Sequence, residues 1–141
     1  MELSLLTLAD IDPETENRIH ALFKQLNAVR VPLSPKTILD PKNPVIIACC
    51  TLENQIVGVA VMAEYSVISG RKGWIEDVVV DEVHRGKGIG RKLMEFLMNE
   101  GRQKGISEIL LFTAYHRKPA HQLYQNLGFQ KKESQIYTLK L

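Results

Sequence analysis

A β-branched run, a glycine-rich turn and a helical pattern follow one another between Trp74 and about Lys104. No other stretch constrains the fold as tightly. Trp74-Ile75-Glu76-Asp77-Val78-Val79-Val80 is compact and β-branched and reads as a buried strand. Arg85-Gly86-Lys87-Gly88-Ile89-Gly90 comes next. From Ile89 to about Lys104, Leu93, Phe96, Leu97 and Gly101 recur on one stripe, which predicts an amphipathic helix. Three glycines therefore stand at a strand-to-helix turn. No Ser, Thr, Asp or Asn directly precedes the helix, so no side chain is available to satisfy its first N–H groups. Bare donors at the positive end of a helix dipole suit an anion, phosphate above all. Glycine removes the Cβ that would hold a phosphate away, and it permits φ > 0. Arg85, Lys87, Arg91 and Lys92 add positive charge. The stretch reads as a pyrophosphate cradle. A plain connecting turn does not account for alternating glycines, an uncapped helix and this density of cations.

Phosphate loops differ in spacing. The GxxxxGK[ST] string of a P-loop is absent. A GxGxxG fingerprint fits Gly86 and Gly88 but meets Arg91 where its third glycine belongs. The strand that would carry the matching acid, Ile109 to Thr113, ends without one. The pattern that fits is Arg/Gln-x-x-Gly-x-Gly/Ala, met by Arg85, Gly88 and Gly90. Here the chain resembles the GNAT superfamily of acyl-CoA-dependent N-acetyltransferases. A second block, Ala120-His121-Gln122-Leu123-Tyr124-Gln125-Asn126-Leu127-Gly128-Phe129, resembles the family's helix with Tyr followed by Leu-Gly-Phe. The two blocks come in the family's order, and the resemblance covers about the last two thirds of the chain.

The resemblance implies an α+β fold with a mixed, mostly antiparallel sheet of six or seven strands. About four helices cover its faces, and a central parallel pair, Trp74–Val80 and Ser107–Thr113, splays to admit a cofactor. It implies acetyl transfer from acetyl-CoA to a primary amine by direct attack in a ternary complex. Arg85, Gly86, Lys87, Gly88, Ile89, Gly90 and Arg91 are then expected to hold the pyrophosphate. Val78, Val79 and Val80 are expected to pair with the pantetheine arm as an added strand, and an N–H near Val78 to stabilise the oxyanion. Tyr124 is the expected general acid. Glu76 is the expected base, because a carboxylate in an apolar strand is costly unless paired or used. Asp77 is its rival, since strand neighbours face opposite sides. One of the two could instead pair with Arg71, Lys72 or Arg117. The pattern around Glu76 and Tyr124 resembles members acting on small amines, including amino-sugar phosphates and aminophosphonates. A peptide or protein amine is the alternative acceptor. A regulatory module that only binds acyl-CoA is the alternative from another class; retention of Tyr124 and Glu76 speaks against it. Dimers are common in the family, so a homodimer fits.

Bulk properties bound the rest. A chain of 141 residues reads as one domain, 1–141, with enough apolar residues for a core. Formal net charge is only +2, too small to argue for a nucleic-acid or membrane partner. No apolar run approaches the ~20 residues of a membrane span, and Met1-Glu2-Leu3-Ser4 lacks the pattern of a signal peptide. Cys49 and Cys50 are adjacent, hence on opposite faces of a strand and unsuited to pairing. They read as small buried hydrophobes in a reducing, cytoplasmic setting. His116 and His121 are five residues apart with no carboxylates to join them, so no metal site is expected. His116, Arg117 and Lys118 follow a strand end, where α/β sites usually sit; a solvated turn is the default reading, with contact to the cofactor or acceptor the alternative.

The remaining segments read in order. Glu2–Leu8 is a first or edge strand, and Asp12-Pro13 opens a helix to about Val29. The prolines from Pro32 to Pro44 leave room for one short helix near Ser34–Leu39. Val45–Leu52 and Ile56–Tyr65 form a hairpin through Glu53-Asn54-Gln55. Gly70–Gly73 reads as a second turn, Pro119 opens a last helix that Gly128 ends, and Phe129–Lys132 with Gln135–Leu141 reads as a closing strand pair.

Overall fold

The computed structural model describes residues 1–141. Five strands form one sheet in the order β1-β2-β3-β4-β5. β1 (Glu2–Leu5), β2 (Val45–Leu52), β3 (Gln55–Val67) and β4 (Gly70–Val80) run antiparallel in succession, and β5 (Glu108–Leu110) lies parallel to β4. The helices are α1 (Pro13–Leu26), α2 (Pro35–Ile38), α3 (Ile89–Gln103) and α4 (Lys118–Asn126).

Local chemistry explains most boundaries. Asp12 Oδ1 accepts the Thr15 N–H at 2.8 Å and Pro13 supplies the first helical φ, so α1 starts where the pattern predicts. It ends at Leu26, short of the expected Val29. Asn27 is the cause: its side-chain oxygen accepts the N–H groups of Val29 and Arg30, at 3.2 and 3.0 Å, and turns the chain away. Ser34 caps α2 in the same manner as Asp12. Glu53 and Asn54 both take positive φ, 48° and 63°, as a two-residue hairpin turn requires.

The second hairpin differs from expectation. Val67 pairs with Gly70, so the turn is Ile68-Ser69 and β4 already runs from Gly70. Gly73 lies inside the strand. A Cβ there would meet Met62 Sδ at 2.9 Å, so packing, not turning, demands glycine.

The sheet separates two cores. On one face Ala48, Cys50, Ala60, Met62 and Ile75 pack against Ile89, Leu93, Met94 and Leu97 of α3. On the other, Ile47, Cys49, Val59 and Val79 pack with Leu22 of α1. Cys49 and Cys50 indeed face opposite ways, and both are unpaired and buried.

Two expectations near the C-terminus fail. β5 pairs over Glu108–Leu110 only, not across Ser107–Thr113. The closing pair Phe129–Lys132 and Gln135–Leu141 does not form strands, so the sheet has five strands in place of six or seven. A ladder needs an edge to add to, and β5 offers three residues of one. Ile136, Tyr137 and Leu139 consequently stay exposed. A loose Lys132–Glu108 ion pair of 3.6 Å is what links this segment to β5.

Candidate active site

Pairing between β4 and β5 stops at Trp74 and Leu110. Beyond that point the two strands part, and the β5-facing edge of Ile75–Val80 is left without a neighbour. On the other edge β4 carries a bulge. Val59 pairs with Val79 and Val61 with Glu76, so Ala60 alone faces both Asp77 and Val78. Asp77 takes φ +51°, a left-handed conformation that Asp tolerates better than most residues.

The bulge changes the sidedness argued from the sequence. In a regular strand Glu76 and Asp77 would point apart. Here both line one cavity of about 490 Å³, together with Val78, Val79 and Tyr124. Neither is salt-bridged: Arg71 pairs with Glu64 at 3.2 Å and Lys72 with Glu108 at 3.7 Å. Both carboxyls face the open cavity, yet its walls are largely apolar, and this desolvation raises their pKa values above the ordinary carboxylate range. The charge of Asp77 raises Glu76 further, while Arg30 pulls both down.

Tyr124 reaches the same cavity from α4. The Leu-Gly-Phe block explains why it is held there. Leu127 caps α4, Gly128 takes φ +95°, Gly128 N–H donates to Gln125 C=O at 3.0 Å, and Phe129 N–H donates to Tyr124 C=O at 3.0 Å. This is a Schellman ending, and Phe129 completes it by packing edge-on against Tyr124, with centroids 6.1 Å apart. Burial raises the Tyr124 phenol above 10, with Arg117 opposing.

The glycine turn stands at the far end of the β4 edge. Gly88 caps α3 in a left-handed conformation, φ +76°, and has no side chain to accept the first helical N–H groups; Gly86 has the same φ. The first backbone bond of the helix is Lys92 N–H to Gly88 C=O at 3.1 Å. The N–H groups from Gly86 to Arg91 therefore have no acceptor within the protein. A Cβ at Gly86 or Gly88 would meet no protein atom within 4 Å. Glycine is required there by φ, and the space outside is open to a ligand. The cations are less free than the sequence suggests. Arg85 Nε donates to Val80 C=O at 3.0 Å and closes the loop, and Arg91 Nε pairs with Glu95 at 2.8 Å.

Behind the loop, Asp81 is 7% exposed and joins it to α1. It accepts from Arg18 and from Gln25, and Gln25 in turn accepts the Glu82 N–H at 2.9 Å. The Arg18 hydrogen bond holds the Asp81 carboxyl below its ordinary value.

Residues 10–129 match the sequence profile of the Acetyltransferase (GNAT) family. The chain belongs to that family. Among relatives similar to this GNAT chain, glucosamine 6-phosphate N-acetyltransferase of Arabidopsis thaliana is 37% identical over 67 residues, 48% of this chain and 43% of its own length. Thialysine N-epsilon-acetyltransferase of Bos taurus is 36% identical over 66 residues, 47% of this chain and 39% of its own. The chain thus spans less than half the length of these curated relatives. A ribosomal-protein-alanine N-acetyltransferase from Brucella melitensis biovar Abortus 2308 has the same fold, with a TM-score of 0.80 at 19% identity over the whole of both chains. At that identity the likeness concerns the fold alone. The GNAT sheet, with its parted parallel pair, is the architecture expected from the sequence, short of its closing strands.

Sequence reasoning missed Arg30, His20 and Phe23, which also line the cavity. They lie on α1 and the proline-rich segment after it, where no motif marks them. Phe23 falls at helical spacing with Ile19, Leu22 and Leu26, which places it on the inner side of α1, and that was the one available signal.

Proposed function

We propose that this chain, acting as one domain, transfers an acetyl group from acetyl-CoA to a primary amine of a small molecule by direct attack in a ternary complex. One observation carries the reading. A run of unpaired main-chain N–H groups, Gly86–Arg91, stands at the end of an open β4 edge that leads to a cavity holding two carboxyls and a half-buried phenol.

The residues present fit acetyl-CoA. The Gly86–Arg91 amides and the α3 dipole would hold the pyrophosphate, and Lys87 would add charge. Val78, Val79 and Val80 would offer main-chain groups to the pantetheine amides as a neighbouring strand does. When bound, acetyl-CoA supplies an acyl group activated as a thioester. Glu76, with Asp77 beside it, accepts the ammonium proton at a carboxylate oxygen, directly or through a water. Their raised pKa values bring them nearer the working pH of a base. The Val78 N–H, in the bulge of β4, would stabilise negative charge on the thioester carbonyl oxygen. Tyr124 keeps a proton at Oη, available to the departing thiolate.

The small-molecule acceptor is supported by the modest size of the cavity, about 490 Å³, and by the relatives named for glucosamine 6-phosphate and thialysine. The test follows free CoA with a thiol reagent across amino-sugar phosphates, aminophosphonates, polyamines, amino acids and a basic peptide. The reading requires turnover of a small amine that falls in Tyr124→Phe and Glu76→Gln. Turnover of the peptide alone would assign the alternative acceptor. Acetyl-CoA binding without turnover of any amine would favour a sensor.

A further inference from the structure

We propose that the acceptor carries an anionic group opposite its amine, with Arg30 and Arg117 holding the anion while Glu76 and Asp77 hold the ammonium. This inference rests on the acetyl-transfer reading above and specifies its second substrate.

The charges of the cavity are the starting point. Arg30, Arg117, Glu76 and Asp77 all line it, and none takes part in any of the protein's ion pairs. The two arginines gather at one corner, the C-terminal end of α1. Arg117 Nη2 donates to Leu26 C=O at 3.4 Å, and the Arg30 N–H donates to Asn27 Oδ1 at 3.0 Å. Bare carbonyls and the negative dipole end of α1 favour cations there. The two carboxyls come from β4, Asp77 in its bulge and Glu76 next to it. Arg30 is near enough to act on both electrostatically, yet it lies beyond the 4.0 Å of an ion pair with either. The cavity thus carries charges of both signs that are not paired with one another.

The complement of such a cavity is a dipolar ligand. Its ammonium neutralises the carboxyls and its anion neutralises the guanidinium groups. The fork of an arginine matches a carboxylate, phosphonate or phosphate with two parallel bonds. The cavity walls are mostly apolar, with Phe23, Leu26 and Ile38 among them, so a ligand charge held against them without a partner is disfavoured. A neutral amine leaves both arginines unpaired. A polyamine brings a second cation against them and is repelled.

Matched amines separate the possibilities: glucosamine 6-phosphate against glucosamine, 4-aminobutyrate against n-butylamine, and putrescine as a dication. kcat/KM is measured at saturating acetyl-CoA. At least one anionic member exceeds its neutral partner by about tenfold or more, and putrescine is the poorest. Arg30→Gln and Arg117→Gln each lower that preference by roughly tenfold, through KM and not kcat. Arg30→Lys, which keeps the charge but not the fork, restores part of it. Titration calorimetry of the preferred amine into CoA-saturated protein gives a second readout, with the same loss of affinity in Arg30→Gln. Both arginines are exposed at the rim, so the variants stay folded, which a melting curve checks. Turnover of amines without preference for the anionic members overturns the proposal, as does a preference that survives both substitutions. Failure to bind acetyl-CoA, with no turnover of any amine, overturns the acetyl-transfer reading and this proposal with it.

Discussion

Gly88 and Gly105 stand at the two ends of α3 and form a matched pair. Their φ values are +76° and +73°, and an added Cβ meets no atom within 4 Å at either. Alanine at each position therefore pays the same conformational cost and no steric one. For an L-residue held left-handed, that cost is about 1–2 kcal/mol, or roughly 4–8 °C in melting temperature for a chain of this size. The two sites differ in what lies outside them. Gly105 closes a Schellman ending, with Ile106 N–H donating to Gly101 C=O at 2.9 Å. Gly88 opens onto the unpaired amides of the candidate phosphate loop. A methyl group there holds a phosphate off one or more charge-assisted bonds, each worth about 1.5–3 kcal/mol. Gly88→Ala should weaken acetyl-CoA binding by roughly ten- to hundredfold, whereas Gly105→Ala should leave it within about twofold. Thermal melting and titration calorimetry on both variants make the comparison. Equal melting losses with equal affinities would refute the assignment of the loop. So would an affinity loss confined to Gly105→Ala.

Other outcomes follow from the same structure. Tyr124→Phe keeps the contact with Phe129 and removes only the hydroxyl, so kcat should fall roughly ten- to hundredfold with acetyl-CoA affinity unchanged; pre-steady-state turnover and calorimetry check it. In the wild type, kcat/KM should rise with pH through the raised carboxyl range, and Glu76→Gln should remove that acidic limb from the profile. Asp77→Asn, which tolerates the left-handed conformation, should raise the melting temperature at neutral pH. The folded Asp77 pKa lies above its ordinary 3.8, so folded protein binds the proton more tightly and stability falls as pH rises through that window. Below pH 3.8 the gain should vanish. Asp81 has the opposite sign. Its folded pKa lies below 3.8, so its contribution is present above that value and is lost as pH falls through the folded pKa. Asp81→Ala strands the partly buried Arg18 and should cost about 3 kcal/mol in denaturant unfolding.

The legible parts of this chain were those fixed by short-range chemistry. Asp12-Pro13, the Glu53-Asn54 turn and the glycines of the loop each act through their own backbone, so their effect can be read locally. The Leu-Gly-Phe block belongs with them: its spacing marks a helix stop, and the structure shows that stop packing against Tyr124. What escaped depends on contacts distant in sequence. The bulge at Asp77 exists only in register with Ala60, and nothing in Ile-Glu-Asp-Val announces it. Regular alternation separated two carboxyls that the fold brings into one cavity. Arg30 lies 46 residues from Glu76 in a segment without a motif. The closing strands illustrate the converse error. Gln135–Leu141 has strand-like composition, but pairing is a property of two edges, and β5 supplies only a short one.

The most direct test of the acetyl-CoA site observes the loop amides themselves. Heteronuclear NMR of the labelled protein, titrated with acetyl-CoA, follows the N–H signals of Gly86–Arg91, with those at the far end of α3, such as Gly105, as the internal reference. The signals from Gly86 to Arg91 should move downfield together and gain protection from exchange as charge-assisted bonds form, while Gly105 stays in place. If acetyl-CoA leaves the loop signals unmoved, or shifts residues elsewhere without them, the loop is not the cofactor site and the proposed function fails.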